Sequence, residues 1–443
     1  RALDADPGAV DRAIDAVRAD ALATLIYTSG TTGPPKGVML THDSWAFQAE
    51  AARTTLASGI GAGELVYLFL PLAHSFGMAC AIGAAHLGVP LAVEADLDAI
   101  VAGLVATRPT TVPAVPRVFE KIHHRIEARA KAAGPRRYAV FRWASAIGDE
   151  VVRIEQAGGR VGPWLRARHQ IADRLVFARL RAALGGRVRV MASGGAPLAE
   201  PIARFFAAAG ITVVEGYGLT ETSAAAVANR PDDHRFGTVG RPVVGCELQL
   251  APDGEVLLRG RNVMAGYWNR PEATSEVLGP DGWLHTGDLG RLDPSGRLVL
   301  TGRKKDLIVT SGGKNVAPAD AEGRIKGACP LVSEIVTIGD RRPYCVALVW
   351  LDLEVAAGVA AELGWATADP AAFAVAEPLR DLVWAEVEKV NRGLPPYATV
   401  KRIHLVAEPL TSEGGLLTPS LKVKRSAVAE RYAALLERSY RET

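Results

Sequence analysis

The segment Tyr27-Thr28-Ser29-Gly30-Thr31-Thr32-Gly33-Pro34-Pro35-Lys36-Gly37 constrains this chain more than any other. It continues the hydrophobic triplet Leu25-Ile26-Tyr27, which reads as a buried strand, and gathers three glycines, four aliphatic hydroxyls, two prolines and a lysine. Small side chains let backbone N–H groups approach phosphate oxygens, hydroxyls add donors, and a lysine adds positive charge. The loop is not a Walker A motif: Pro35 stands where that spacing needs glycine, and Gly37 where it needs Ser or Thr. A phosphate-cradling loop at the end of a strand predicts an α/β fold.

The rest of the chain supports that class. Short hydrophobic strands at 25–27, 66–70, 188–192 and 212–215 alternate with helical stretches. Residues 118–132 carry Phe119, Ile122 and Ile126 at helical spacing, and residues 164–184 carry Ile171, Leu175 and Leu180 before stopping at Gly185-Gly186. From about residue 237 the pattern turns β-rich, with strands or turns at 256–259, 282–283 and 298–300. A smaller α+β unit follows, with strands at 333–338 and 345–351 and helices at 378–390 and 426–441. A chain of 443 residues exceeds one ordinary domain. The expected division is a large α/β domain with a β-rich subdomain (1–302) and a small, mobile α+β domain (303–443), joined at 303–306. Residues 1–20 are polar and helical and lead from Arg1 almost directly into the phosphate loop, so the large domain is expected to be truncated at its N-terminus.

Charge and cysteine usage exclude several classes. A net charge of +3 with both signs interspersed does not fit a nucleic-acid binder, which concentrates basic residues. Cys80, Cys246, Cys329 and Cys345 lie too far apart for a disulfide framework or a zinc site, and a cytoplasmic setting is the default. The apolar run 77–93 is broken by His86 and Pro90 and predicts a helix, turn and strand rather than a membrane span.

Further motifs follow the phosphate loop in order. Glu215-Gly216-Tyr217-Gly218-Leu219-Thr220-Glu221-Thr222 closes a strand. Gly216 and Gly218 permit close approach to a ligand, Tyr217 offers a flat face, Thr220 can donate to a phosphate, and Glu221 is a hard oxygen ligand suited to Mg²⁺. Ser193-Gly194-Gly195-Ala196-Pro197-Leu198 is a second strand ending in glycines. In Thr286-Gly287-Asp288 a turn aspartate can accept from two ribose hydroxyls, and Gly302-Arg303-Lys304-Lys305-Asp306 follows it. Taken singly, each of these has a plain reading as a turn, a helix start or a solvated charge.

As an ordered set they resemble the adenylate-forming superfamily, which includes acyl-CoA synthetases, peptide-synthetase adenylation domains and beetle luciferases. The resemblance runs from the loop to the C-terminus. It implies ATP, Mg²⁺ and an acyl acceptor, with the phosphates on Thr28, Ser29, Gly30, Thr31, Thr32, Gly33 and Lys36. Adenine would lie at Gly216, Tyr217 and Gly218, the ribose at Asp288, and the metal on Glu221 with help from Thr28. Thr220, Glu221 and Arg303 are implied in catalysis, and Lys305 as the hinge of the small domain. Residues 417–425 resemble the catalytic-lysine segment, which assigns that role to Lys422, with Lys424 as competitor and Leu421 in place of the usual glycine. Leu70-Pro71-Leu72-Ala73-His74 resembles the gate of the acyl pocket, with Met78 where some bacterial members place a Trp gate. Gly194, Gly195 and Ala196 would lie against the acyl group, and Gly312 and Gly313 would swing in to build the CoA tunnel.

Residues 115–122 and the helical insert reaching Gly185-Gly186-Arg187 resemble long-chain fatty-acid CoA ligases of actinobacterial type. The implied substrates are a fatty acid, ATP and CoA. A homodimer and peripheral membrane contact are compatible with that reading. The rival readings are an acyl-AMP ligase loading a carrier protein, an inactive nucleotide-binding fragment, and, remotely, luciferase-type oxidation.

Overall fold

A computed structural model describes residues 6, 8–28, 35–56, 63–96, 98–365, 369–411, 413–417 and 423–441, the side chains of Leu56 and Pro370 excepted. At its centre is a seven-stranded sheet in the order Leu91–Val93, Val66–Leu68, Thr111–Ala114, Val190–Ser193, Thr212–Leu219, Ala224–Ala228, Arg241–Pro242. The first five strands are parallel and the last two antiparallel. Parallel strands require crossover connections, and the intervening helices supply them on both faces.

One face carries the largest core. Val112, Ala114 and Met191 point into it, against Phe119, Phe141, Phe177, Phe205 and Phe206 from the helices Pro116–Ala132, Pro135–Gln156, Pro163–Ala183 and Glu200–Ala208. Edge-to-face contacts join Phe119 to Phe206 at 5.5 Å and Phe205 to Phe206 at 5.8 Å, an arrangement that adds to simple burial. The helix expected over 164–184 is present, with its apolar face reassigned. A π-turn at Asp173–Phe177 adds a residue to one turn and shifts the phase. Of the expected face only Leu180, after the turn, reaches the core, together with Ala172, Val176 and Phe177; Ile171, before the turn, and Leu175, within it, are exposed. Gly185 and Gly186, both at positive φ, end the helix.

The other face of the parallel sheet is covered by His42–Leu56 and Ser75–His86. The apolar run 77–93 folds as that second helix followed by the strand Leu91–Val93, and no described helix is long and apolar enough to cross a membrane. The phosphate loop is the connection of an antiparallel hairpin, Leu22–Thr28 with Lys36–Thr41, to which Gly266–Tyr267 adds a third strand. The β-rich part is a four-stranded antiparallel sheet, Cys246–Leu250, Glu255–Gly260, Leu284–Leu292 and Leu298–Arg303.

The C-terminal unit is built on Val332–Ile338, Cys345–Leu351 and Val400–Val406, with a fully buried central strand. The helix expected over 426–441 is two, Arg425–Arg431 and Ala433–Arg441, broken at Tyr432, whose hydroxyl donates to Glu408 at 3.0 Å. This unit touches the large one through Arg117–Glu334 (3.3 Å) and Lys131–Glu362 (3.0 Å). At the junction, the single-turn helix Lys304–Asp306 is tied back to the β-rich sheet by Lys304, 2.6 Å from Asp253 and 3.1 Å from Glu255.

Candidate active site

A cavity of about 1120 Å³ opens at the carboxyl ends of the parallel strands, where ligands bind in open α/β sheets. Its rim brings together sequence-distant residues: Thr28, His74, Gly194, Gly195, Ala196, Gly216, Tyr217, Gly218, Thr220, Glu221, Asp288 and Arg303. Ser29, Gly30, Thr31, Thr32, Gly33 and Lys422 lie outside the described residues. Val423, the neighbour of Lys422 in the chain, lines the same cavity.

The strand Thr212–Leu219 runs straight into the single-turn helix Thr220–Thr222. Gly218 is required there, because a Cβ would lie 1.7 Å from the carbonyl oxygen of Ala224. Ser223 and Ala224 both adopt positive φ (54° and 94°), a conformation costly for residues other than glycine. Four hydrogen bonds from three side chains hold that turn. Thr222 Oγ1 accepts from Leu219 N at 2.8 Å, and Ser223 Oγ donates to the Asn262 carbonyl at 2.9 Å. Gln48 Nε2 donates to the Thr222 and Ala225 carbonyls at 3.1 and 2.9 Å. The result fixes Thr220 and Glu221 at the rim.

Glu221 is half-buried, and its Oε1 accepts from the Tyr267 hydroxyl at 2.8 Å. Burial, reinforced by this carboxylate, holds the Tyr267 phenol far above its ordinary pKa, so it remains a donor. Lys36 is not in the cavity lining; its Nζ sits 4.8 Å from the centroid of the Tyr267 ring. Thr28 Oγ1 donates to the Lys36 carbonyl at 3.4 Å. Among the described residues no group of three or more His, Cys, Asp or Glu is arranged to hold a metal ion. A lone carboxylate that shares the cavity rim with the Thr28 hydroxyl is nevertheless a donor set that suits Mg²⁺, which keeps its waters and arrives on phosphate oxygens.

Asp288 and Arg303 are cross-strand partners, with Arg303 Nε 2.9 Å from Asp288 Oδ1. The Tyr217 hydroxyl donates to Asp288 Oδ2 at 2.8 Å, and Thr286 Oγ1 accepts from the Asp288 amide at 3.1 Å. Asp288 thus has a protein partner on each oxygen, with further acceptor capacity on both. Burial first, then the Asp288 charge, pushes the Tyr217 phenol well above its usual range.

Glu215 had no role assigned from sequence. It is in register with Ser193 on the adjacent parallel strand, and both line the cavity. Its Oε2 accepts from Leu198 N at 3.4 Å, while its Oε1 and Ser193 Oγ are buried without hydrogen-bond partners. Burial pushes this carboxyl up to about 7. A neutral carboxyl with one unused oxygen is suited to hydrogen-bond a polar group on a ligand.

Away from the rim the lining is apolar and small. The helix Ser75–His86 contributes Ala79, Cys80, Gly83 and Ala84, and His42–Leu56 contributes Gln48, Ala51, Ala52 and Thr55, each set at helical spacing. The sheet contributes Thr111 and Pro113, Val190 and Ala192, the alternate residues facing away from the large core. The result is a tunnel between two helices and a sheet. His74 caps the helix, its Nδ1 accepting from Phe76 N at 3.2 Å. Met78 turns away, into the cluster of Ile26, Val38, Leu40 and Trp45, and is not part of the lining. Phe76 is, with its ring 3.3 Å from where a Gly194 Cβ would stand. Helical phase decides this: position 78 lies about 200° around the helix from 76. Gly312 and Gly313 sit in the turn between Ile308–Val309 and Asn315–Val316, where Ser311 N donates to the Arg342 carbonyl at 2.9 Å. They do not meet the cavity, and neither does the exposed Lys305.

The family profile of AMP-binding enzymes matches residues 2–268, and that of the AMP-binding enzyme C-terminal domain matches residues 305–443. The chain belongs to the AMP-binding enzyme family. Among curated relatives, the long-chain-fatty-acid–CoA ligase FadD15 of Mycobacterium tuberculosis is 40% identical over 98% of this chain and 72% of its own length. Among solved structures, the adenylation domain of a carboxylate reductase from Mycobacterium chelonae is 26% identical, with a TM-score of 0.72 over 95% of this chain and 60% of that one. The o-succinylbenzoate CoA synthetase of Bacillus subtilis, 23% identical with a TM-score of 0.64 over 93% of this chain and 70% of that one, shares the fold. This AMP-binding enzyme therefore has the large α/β domain and smaller C-terminal domain of the adenylate-forming fold.

Proposed function

We propose that this AMP-binding enzyme activates a long-chain fatty acid with ATP and transfers it to CoA. In the first half the carboxylate oxygen attacks the α-phosphorus, the bond to pyrophosphate breaks, and acyl-AMP forms. In the second the CoA sulfur attacks the acyl carbon as its thiol proton is lost, and AMP leaves. The observation that carries this reading is the continuity of one cavity, polar at Glu221, Asp288 and Arg303 and apolar along Ala79, Gly83 and Ala192. Such a space holds a nucleotide at one end and an alkyl chain at the other.

Little covalent chemistry falls to the protein; it must hold two anions in line and offset the charge they bring. Glu221 with Thr28 would hold Mg²⁺, which neutralises phosphate charge when bound. Asp288, fixed by Tyr217 and Arg303, would accept from the ribose hydroxyls. Lys36 and residues 29–33 would face the phosphates, and Lys422 would complete the positive field. Gly194, Gly195 and Ala196, beside the Phe76 ring, would border the reacting carboxylate. The division at 302–303 with Lys305 as hinge is part of the same proposal: rotation there would withdraw Lys422, bring in the Gly312-Gly313 turn and admit CoA. Peripheral contact with lipid, the source of the substrate, has support in exposed Trp164, Ile171 and Leu175, interleaved with Arg166 and Arg174 along one helix.

The test is incubation with ATP, Mg²⁺, palmitate and CoA, followed by separation of products. Palmitoyl-CoA with stoichiometric AMP is expected. Acyl-AMP that accumulates without thioester would refute CoA as acceptor, and the absence of both would refute fatty-acid activation.

A further inference from the structure

The far end of the tunnel lining holds a charged group that the proposed chemistry does not use. Glu64 lines the cavity at the end opposite the nucleotide side, beside Val66, Thr111 and Val190 at the amino ends of three parallel strands. It is only 6% exposed. One carboxylate oxygen accepts from Arg189 Nη2 and the other from Thr110 Oγ1. Thr110 Oγ1 also accepts from Leu65 N at 2.9 Å, and Arg187 donates to the Gly63 carbonyl at 2.7 Å. Segment 63–65 is therefore stapled to the strand starts from two sides. Glu64 lies two residues before Val66, which is level with Thr111 and Val190, so at about 3.3 Å per residue the span to the Gly194-Gly195 turn is on the order of 20 Å, comparable to an extended palmitate chain.

We propose that Glu64, clamped by Arg189 and Thr110, is the polar end wall of the acyl tunnel and sets the longest chain accepted. This rests on reading the cavity as an acyl-binding site. Between the Gly194-Gly195 turn and Glu64 the walls are mostly small or apolar, among them Ala192, Ala79, Gly83, Ala84, Leu87 and Val66, and the Gln48 amide N–H groups are taken up by the Thr222 and Ala225 carbonyls. Each methylene buried along it strengthens binding about fourfold, the equivalent of about 0.8 kcal/mol. That gain ends at Glu64. A further methylene would have to strip a paired, buried carboxylate of its partners, which is strongly unfavourable. The ion pair is a structural staple as well, but a staple alone has no reason to border the lumen. Arg189 is half-exposed, so its charge keeps contact with water when the carboxylate is shortened.

The experiment measures kcat/KM for laurate, palmitate, stearate and arachidate with saturating ATP and CoA. Wild type is compared with Glu64→Ala, Glu64→Asp and Glu64→Gln. Glu64→Ala removes about two methylene lengths of wall, so the stearate-to-palmitate ratio should rise roughly tenfold while the laurate-to-palmitate ratio holds. Glu64→Asp keeps the charge and both kinds of partner, and should raise the stearate-to-palmitate ratio by a few-fold even if the alanine variant does not fold. Glu64→Gln preserves length and polarity and should retain the wild-type length profile. An unchanged ratio in the Asp and Ala variants, or an equal fall for every acid, would overturn the wall and leave only the staple. Wild type inert toward every fatty acid would instead overturn the acyl-activation reading, and the wall with it.

Discussion

Glu215 offers the sharpest test of the electrostatics at the cavity. Its carboxyl is buried against Leu198 and moved from an ordinary 4.5 up to about 7, chiefly by loss of hydration and secondarily by the charge of Glu200. Below pH 4.5 both folded and unfolded chains carry the proton, and the group contributes fully to stability. Between 4.5 and 7 the unfolded chain ionises first, so stability falls as pH rises; above 7 both forms are ionised and the loss is complete. At about 1.4 kcal/mol per pH unit, the full loss is on the order of 3 kcal/mol. Glu215→Gln cannot ionise and keeps an acceptor for Leu198 N. Guanidinium unfolding of the ligand-free chain compares wild type with Glu215→Gln at several pH values from 5 to 8. The variant should gain on wild type steadily from pH 5 to 7 and then run parallel to it. A difference independent of pH would refute the buried, elevated carboxyl.

Three further outcomes follow from the site. Lys422→Ala should abolish acyl-AMP formation while sparing thioester formation from supplied acyl-AMP, and equal loss of both half-reactions would refute its assigned role. Tyr217→Phe removes the 2.8 Å hydroxyl donor from buried Asp288, a loss of roughly 1–3 kcal/mol; thermal unfolding should report it, and the KM for ATP should rise about tenfold or more if Asp288 holds the ribose. Gly83→Val should obstruct the tunnel, since even a Cβ there stands 3.0 Å from Ala52 Cβ. Palmitate turnover should fall at least tenfold relative to hexanoate, whereas an equal fall for both acids would point to overpacking alone.

The legible part of this protein was the part encoded in short, contiguous strings. Strand 345–351 and the helix at 118–132 follow from local pattern within a residue or two. The rim residues around 28, 194, 216–221, 288 and 303 announced themselves because a ligand-approaching backbone needs glycine, and a phosphate or ribose needs hydroxyls and carboxylates. The groups that hold them were not legible. Tyr267, Gln48 and Asn262 support the 220–224 turn from positions 39 or more residues away, and nothing in their own neighbourhoods marks them. The pairing of Asp288 with Arg303 depends on strand register, which a turn motif does not specify. The misassignment of Ile171 and Leu175 has a plainer origin: nine residues at about 100° each put Ile171 on the opposite side of a regular helix from Leu180, and it is the Leu180 side that reaches the core.

The tunnel shows why side-chain volume is the hardest of these signals to interpret. The run 77–93 is rich in Gly and Ala, which in a sequence means a helix packed closely against its neighbour. The helix does approach closely at Gly83, 3.0 Å from Ala52 by the Cβ measure, and at Gly77, where a Cβ would strike the Pro71 carbonyl oxygen at 2.3 Å. Yet Ala79, Cys80 and Ala84 on the same helix border open space rather than a partner. Small residues permit contact where a partner side chain fills in and leave a void where none does; local sequence cannot tell the two apart. Here the sheet decides it, because Ala192, Thr111 and Pro113 on the facing strands are small or short as well. Small residues on both walls of one interface leave a gap that packing would otherwise close, and a tunnel kept open at the expense of dispersion energy is a tunnel that something must fill.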